Sequence, residues 1–189
     1  MSERVIFSHE DANRLVVGAL GEPGERAFFI QVSSVNGTTT IAVEKSQVGA
    51  LCERLKELIT EVRRNKLASL DELSLAAVIE SEPLQFPIDE EFTAGVMGIA
   101  WDSEMQRVSL EIQSIADGEF TQLLSDEDDL VDVEDPPDLL RVTVRINQVR
   151  GFCNLAEALL LSGRALCPFC GLPIDGSGHL CPRANGYRR

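Results

Sequence analysis

Apolar and β-branched residues recur along the chain in six short runs, each bounded by turn residues. Runs of this length and composition predict β-strands. Tight-turn signals between them, such as Asn36-Gly37, predict hairpins, so consecutive strands should pair antiparallel. A weaker run at Val5–Phe7 predicts an opening strand, with an echo at Leu84–Phe86. The six predicted strands are Arg14–Leu20, Ala27–Ser33, Thr38–Glu44, Thr93–Trp101, Arg107–Ile115 and Leu140–Ile146.

Two other segments carry apolar residues every three or four positions, which is the period of an amphipathic helix. They are residues 47–62 and 148–161. Ser46 and Asn147 precede these segments, and both residue types are typical N-caps. A shorter helix is predicted within residues 67–77, where leucines and alanines recur.

The second half of the chain repeats features of the first. The motif Q-V-x-x-apolar-C occurs at residues 47–52 and again at 148–153, 101 positions later. Two upstream segments, 16–20 and 28–31, recur in the same order at offsets of 80 and 82. We therefore predict an α+β fold in which two tandem antiparallel strand-strand-strand-helix repeats form a pseudo-twofold body, each sheet covered by its own helix.

The predicted organisation has four parts. Residues 1–66 form the first repeat and 67–90 connect it to the second repeat, 91–163. This second repeat carries an acidic insertion at 117–138. Residues 164–189 form a zinc knuckle and a basic tail.

Composition excludes several classes of protein. A chain of 189 residues with 44% hydrophobic residues can bury a substantial core. No apolar run reaches the roughly 18–20 residues that a membrane-spanning helix needs. The opening residues lack the charged-then-apolar pattern of a signal peptide. We expect a cytoplasmic protein with no membrane partner.

The formal net charge is −14, and it is concentrated in one segment. Residues 117–138 contain ten acidic residues and no basic one. Runs of like charge are usually solvated, and this one lacks the glycine and register of an EF-hand loop. Docking to a basic partner or binding of a divalent cation are the functional alternatives. The uniformly basic surface of many nucleic-acid-binding proteins is absent.

Three of the five cysteines fall in the last 23 residues, in the pattern C-P-F-C-G followed by H-L-C. This spacing predicts a zinc site with Cys167, Cys170, His179 and Cys181 as ligands. Three thiolates and one imidazole favour closed, tetrahedral, structural Zn²⁺. A thioredoxin-like redox pair and free cysteines are the alternatives. The redox interpretation is weaker because the motif follows a helix instead of opening one.

The remaining reactive residue types have simpler interpretations. His9, the only other histidine, is expected in a surface loop beside Glu10 and Asp11. Cys52 and Cys153 occupy equivalent apolar helix positions and are expected to be buried as small hydrophobic residues. Neither a Walker motif nor a dinucleotide-binding glycine motif occurs. The sequence therefore predicts no catalytic residues.

The eight-residue tail after Cys181 combines three arginines with the only tyrosine. Arginine pairs with phosphate and carboxylate groups through planar, bidentate hydrogen bonds. Arg183, Tyr187, Arg188 and Arg189 are therefore candidate partner-binding residues. An ordinary charged terminus is the alternative.

The ending C-P-F-C-G-L-P-I-D-G-S-G-H-L-C-P-R-A-N-G-Y-R-R resembles that of an actinobacterial family of about 190 residues. Members end in C-P-x-C…P-I…G-H-x-C-P-R-x-N-G-Y-R-R, and the resemblance extends along the chain to Phe7 and the Q-V-x-x-apolar-C motif. The family is a domain of unknown function, so the resemblance implies no reaction.

Three hypotheses follow. The first is a non-enzymatic zinc-binding adaptor or regulator, which uses the zinc knuckle and tail to bind a protein partner. The second is a single-stranded nucleic-acid-binding protein, because a duplicated strand-strand-strand-helix unit is similar to the PUR-alpha and Whirly folds. The acidic balance and the scarcity of tryptophan and tyrosine count against it. The third is an enzyme with an acidic Mg²⁺ site. The sequence indicates no oligomeric state.

Overall fold

The computed structural model describes residues 4–22, 24–80, 84–115, 136–162, 167, 169–170, 181 and 183. In chain order the strands are β1 (Ile6–His9), β2 (Arg14–Leu20), β3 (Ala27–Ser34), β4 (Gly37–Val43), β5 (Glu90–Asp102), β6 (Arg107–Ser114) and β7 (Leu139–Val144). The helices are α1 (Lys45–Arg64), α2 (Leu70–Ser74) and α3 (Ile146–Leu161). All six predicted strands, the opening strand and the three helices are confirmed. The echo at Leu84–Phe86 is not a strand.

The strands form one mixed sheet in the order β1-β7-β6-β5-β4-β3-β2. Strands β2 to β4 and strands β5 to β7 are two antiparallel meanders, as their tight turns predict. The meanders join because β4 pairs with β5 in parallel, with Ala42 opposite Thr93. Strand β1 pairs with β7, also in parallel. The α+β class is therefore confirmed, whereas the expectation of two separate sheets is wrong.

The two long helices pack on each other and on one face of the sheet. Helix α1 also contacts β5, and α3 also contacts β2. Each helix thus reaches the first strand of the other meander, and α3 also contacts β6 of its own meander. Burying a large apolar side chain contributes about 1.5–3 kcal/mol, so this layer supplies much of the stability. Its largest fully buried residues include Ile30, Ile41, Leu55, Leu110, Ile112, Leu140, Ile146 and Phe152.

A glutamine side chain closes the start of each long helix. The Oε1 atom of Gln47 accepts from the amide of Glu44 at 2.8 Å, and that of Gln148 accepts from Arg145 at 2.9 Å. Glu44 and Arg145 are therefore the N-caps. The prediction of Ser46 and Asn147 as caps is wrong by two residues, because the N3 glutamine supplies the acceptor.

The same two glutamines tie each helix to the other half of the sheet. The Nε2 atom of Gln47 donates to the carbonyl oxygens of Ala94 and Gly95 at 2.9 and 3.1 Å. The Nε2 atom of Gln148 donates to the carbonyl of Ala12 at 2.7 Å. Each side chain therefore closes a helix start and anchors it to the other half.

The segment between α2 and β5 packs closely against the body. Helix α3 holds its first part, where the amide of Val78 donates to Asn147 O at 3.1 Å. The Nε atom of Arg14 then bonds Glu80 at 3.4 Å. On the sheet face opposite the helices, the Gln31 amide group both donates to and accepts from the Gln85 backbone, at 3.1 and 2.8 Å. In its described parts, this segment of the predicted connector passes around edge strand β2. We call residues 75–89 the strap.

His9 is buried at the end of β1, so its predicted place in a surface loop is wrong. Its exposed fraction is 3%. Its Nδ1 and Nε2 atoms lie 2.8 Å from the hydroxyl oxygens of Ser34 and Thr39. Ser34 lies on β3 and Thr39 on β4, whereas β1 pairs with β7. The local sequence around His9 does not indicate these partners. Burial lowers the pKa of His9, so the neutral imidazole is favoured.

Among the described residues, no helix is long and apolar enough to cross a membrane.

Candidate metal centre

Three of the four predicted zinc ligands converge in the structure. The Sγ atoms of Cys167, Cys170 and Cys181 all lie within 4.8 Å of one another. The separation between the sulfurs of Cys167 and Cys181 is 3.8 Å. Two sulfurs bound tetrahedrally to one zinc ion, each at about 2.3 Å, lie about 3.8 Å apart. The three thiols therefore lie close enough together to hold one metal ion, and the Cys167–Cys181 pair has the spacing of two tetrahedral zinc ligands. The fourth predicted ligand, His179, lies outside the described residues.

The three thiols differ in exposure. Cys167 and Cys181 are buried, with exposed fractions of 5% and 8%, whereas Cys170 is partly exposed. Burial raises the pKa of Cys167, since it disfavours the thiolate. Hydrogen bonds from the backbone amides of Cys170 and Phe169, and from the thiols of Cys170 and Cys181, outweigh this effect. The pKa of Cys167 therefore lies below its usual value, which favours the thiolate that binds metals.

Arg183 connects the two halves of the motif. Its guanidinium donates to the carbonyl oxygen of Phe169 at 3.0 Å, across 14 positions of sequence. Phe169 and Arg183 are both exposed, Phe169 with 64% of its surface. The first predicted partner-binding residue is thus beside the thiol cluster. The other three, Tyr187, Arg188 and Arg189, lie outside the described residues.

Among the described residues, the thiol cluster contains only Cys167, Cys170 and Cys181. Cys52 and Cys153 are buried in the body with exposed fractions of 3% and 2%, as predicted. Residues 117–135 of the acidic insertion lie outside the described residues. At its end, Asp138 accepts a hydrogen bond from the amide of Val5 at 2.8 Å, so this carboxylate helps position the start of β1.

One arrangement at the helix crossing escaped the sequence reasoning. Cys52 and Cys153 were predicted separately as small core residues, yet they contact each other. Their common offset of 101 positions was the signal that could have indicated the pairing, because equivalent residues of two repeats related by a twofold axis meet when both lie close to that axis.

Comparison with known proteins supports the family assignment. Residues 7–181 match the family model described as a protein of unknown function, DUF3090. The match includes both meanders, both long helices and all three clustered cysteines. Neither the comparison with curated proteins nor that with solved structures gave a match. Because the family model spans most of the sequence, the chain belongs to the DUF3090 family.

Proposed function

We propose that this protein is a non-enzymatic zinc-binding adaptor, whose body is a scaffold and whose zinc module binds a protein partner. The convergence of Cys167, Cys170 and Cys181 is the observation that carries the proposal. The body and the module have separate roles in it.

Zinc is the metal that this donor set fits best. Three thiolates with an imidazole from His179 would complete a tetrahedral site, and soft thiolates exclude Mg²⁺ and Ca²⁺. A four-ligand site has no open position for water or substrate, so its role is structural. Two of the thiols are buried, which suits a clip that holds the end of the chain in place.

We also propose that the body is pseudo-twofold, so that its two helices are equivalent. Three paired interactions support this. Gln47 and Gln148 make corresponding bonds to the opposite halves. Cys52 and Cys153 make reciprocal contacts, and Lys56 pairs with Glu157, its counterpart at the same 101-residue offset. A body of this kind is rigid and can present an appended module in a fixed orientation.

The docking role of the module is supported by Phe169 and Arg183. An exposed aromatic ring beside an anchored guanidinium combines apolar contact with charge-assisted hydrogen bonding. Tyr187, Arg188 and Arg189 would extend this surface. The partner's surface should be acidic, because the tail carries three positive charges and no negative one.

The metal part of the proposal is tested by elemental analysis of protein purified without added metal. We expect one zinc per chain, with loss of most of it in Cys170→Ser. The matched control is Cys52→Ser, which removes a thiol far from the cluster in sequence and should retain the zinc. Zinc-free wild-type protein, or equal zinc in both variants, would contradict the proposal.

The docking part is tested by affinity capture from the native cytoplasm with the whole chain as bait. A specific protein should be captured by the wild type and lost with Cys170→Ser and with Arg183→Ala. Arg64→Ala, at the exposed end of α1, is the matched control and should capture it normally. Capture that is insensitive to Cys170 and Arg183 would refute the adaptor role. Capture lost only after nuclease treatment would favour the nucleic-acid alternative.

A further inference from the structure

The two long helices meet at a pair of cysteines. The Sγ atom of Cys52 on α1 lies 3.6 Å from the carbonyl oxygen of Cys153 on α3. The Sγ atom of Cys153 lies 3.8 Å from the carbonyl oxygen of Cys52. Each side chain therefore points across the crossing at the backbone of the other residue.

The surroundings make the two thiols unequal. A hydrogen bond from Cys153 lowers the pKa of Cys52, and Lys56, one turn along α1, acts in the same direction. The same hydrogen bond and burial raise the pKa of Cys153. A lowered pKa favours the thiolate form of Cys52, and Cys153 lies opposite it at the helix crossing. The ion pair between Lys56 and Glu157 holds the two helices together one turn further along.

We propose that Cys52 and Cys153 are a redox-sensitive staple, which a hydroperoxide closes into a disulfide between α1 and α3. The proposal rests on the reciprocal contacts in which the Sγ atom of each cysteine approaches the backbone carbonyl oxygen of the other. It is independent of the metal centre, whose cysteines lie in a different part of the sequence.

The chemistry balances in two steps. The Cys52 thiolate attacks one peroxide oxygen, so an S–O bond forms and the O–O bond breaks, and the leaving alkoxide or hydroxide takes a proton. This step oxidises Cys52 to a sulfenic acid. The Cys153 sulfur then displaces hydroxide from the Cys52 sulfur, and its thiol proton leaves with that hydroxide as water. The net reaction removes two hydrogens from the protein and reduces one peroxide.

Closure has a structural consequence because it links residues 101 positions apart. A cross-link that closes a loop of this length restricts the unfolded chain strongly. The link also joins the two halves of the body, because α1 belongs to the first half and α3 to the second. Oxidised protein should therefore unfold at a higher denaturant concentration. Since both thiols are buried, closure requires brief parting of the helices and should be slower than oxidation of an exposed thiol.

Trypsin separates the relevant thiols. Cleavage after Lys45 and Arg54 releases Cys52 in peptide 46–54, and cleavage after Arg150 and Arg164 releases Cys153 in peptide 151–164. All three cysteines of the metal centre fall together in 165–183. Zinc-loaded, folded protein is treated with hydrogen peroxide, blocked with an alkylating agent, digested without reductant and analysed by mass spectrometry.

We expect a linked 46–54/151–164 peptide, two hydrogens lighter than its parts, which reductant separates. The linked protein should also show a higher urea midpoint. Cys52→Ser and Cys153→Ser are the matched controls; neither should gain stability on oxidation.

Three outcomes would overturn the proposal. One is that both peptides are recovered fully alkylated after peroxide treatment. Another is that the link forms only in denaturant. The third is that Cys52 or Cys153 is linked to 165–183 instead.

Discussion

Replacement of Gly151 by alanine tests the close packing of the strap on helix α3. An added Cβ would lie 3.1 Å from the carbonyl carbon of Val78 and 3.3 Å from its nitrogen, and closer still to its oxygen. These are backbone atoms, so no side-chain rotation relieves the clash. The strap must move, and the hydrogen bond from Val78 N to Asn147 O would be lost or stretched.

The magnitude follows from two opposing effects. Alanine favours a helix interior by about 1 kcal/mol over glycine. Overpacking costs about 1–3 kcal/mol, and loss of a backbone hydrogen bond about 1 kcal/mol more. We therefore expect Gly151→Ala to destabilise the protein by about 1–3 kcal/mol. The control is Gly49→Ala on α1, where an added Cβ meets only Leu160 Cδ1 at 3.9 Å. This variant should be stabilised by up to about 1 kcal/mol.

The assay is urea unfolding followed by far-ultraviolet circular dichroism, with both variants measured beside the wild type. With a slope of about 2 kcal/mol per molar urea, the two midpoints should differ by about 0.5–2 M. Equal or higher stability of Gly151→Ala relative to Gly49→Ala would refute the described packing of the strap against α3.

Three further predictions concern the body. Gln148→Ala should lower the free energy of unfolding by about 1–2 kcal/mol in denaturant titrations, because it loses the helix start and the bond to Ala12; an unchanged value would exclude this anchoring role. Burial lowers the folded-state pKa of His9, so its contribution is complete above the unfolded pKa of about 6.5 and is lost as the pH falls through the folded pKa. His9→Gln should flatten this acid-side loss in unfolding measured against pH, and an unaltered pH profile would contradict it. Lys56→Glu should cost about 1 kcal/mol or less, since Glu157 is half-exposed, and adding Glu157→Lys should restore stability in a double-mutant cycle; absence of coupling would argue against the pair.

Local pattern predicted the elements well because strands and helices have different hydrophobic periods. β2 begins at Arg14 and ends at Leu20, as the run of β-branched residues indicates. Both long helices occur where the period changes. Pairings between distant strands were not predictable, because nothing in the local sequence specifies that β4 lies beside β5 or that β1 joins β7. The two sheets expected from the repeat are therefore a single sheet.

The predictions of the helix caps and of an exposed His9 were wrong for a similar reason. Ser46 has good capping chemistry, but Gln47 provides an acceptor for the Glu44 amide that starts the helix earlier. His9 looked exposed beside Glu10 and Asp11, whereas its hydroxyl partners come from β3 and β4. Both outcomes depend on tertiary contacts that local propensity does not encode.

The thiol cluster was predictable because spacing alone restricts its geometry. Two cysteines three positions apart on a tight turn can face one ion, and a third returning after a short glycine- and proline-containing loop can join them. The structure confirms the convergence of Cys167, Cys170 and Cys181. The metal's identity depends on a fourth ligand, and His179 remains a prediction. Partner binding likewise cannot be derived from spacing, because it depends on the surface of another molecule.

The proposed function depends on a structural zinc ion held by these cysteines. X-ray absorption at the zinc K-edge of the purified, full-length protein tests it most directly. We predict a four-coordinate site with three sulfurs at about 2.3 Å and one nitrogen at about 2.0–2.1 Å, converted to a shell with fewer sulfurs in Cys170→Ser. A sulfur-free shell, or a spectrum unchanged in Cys170→Ser, would contradict the account.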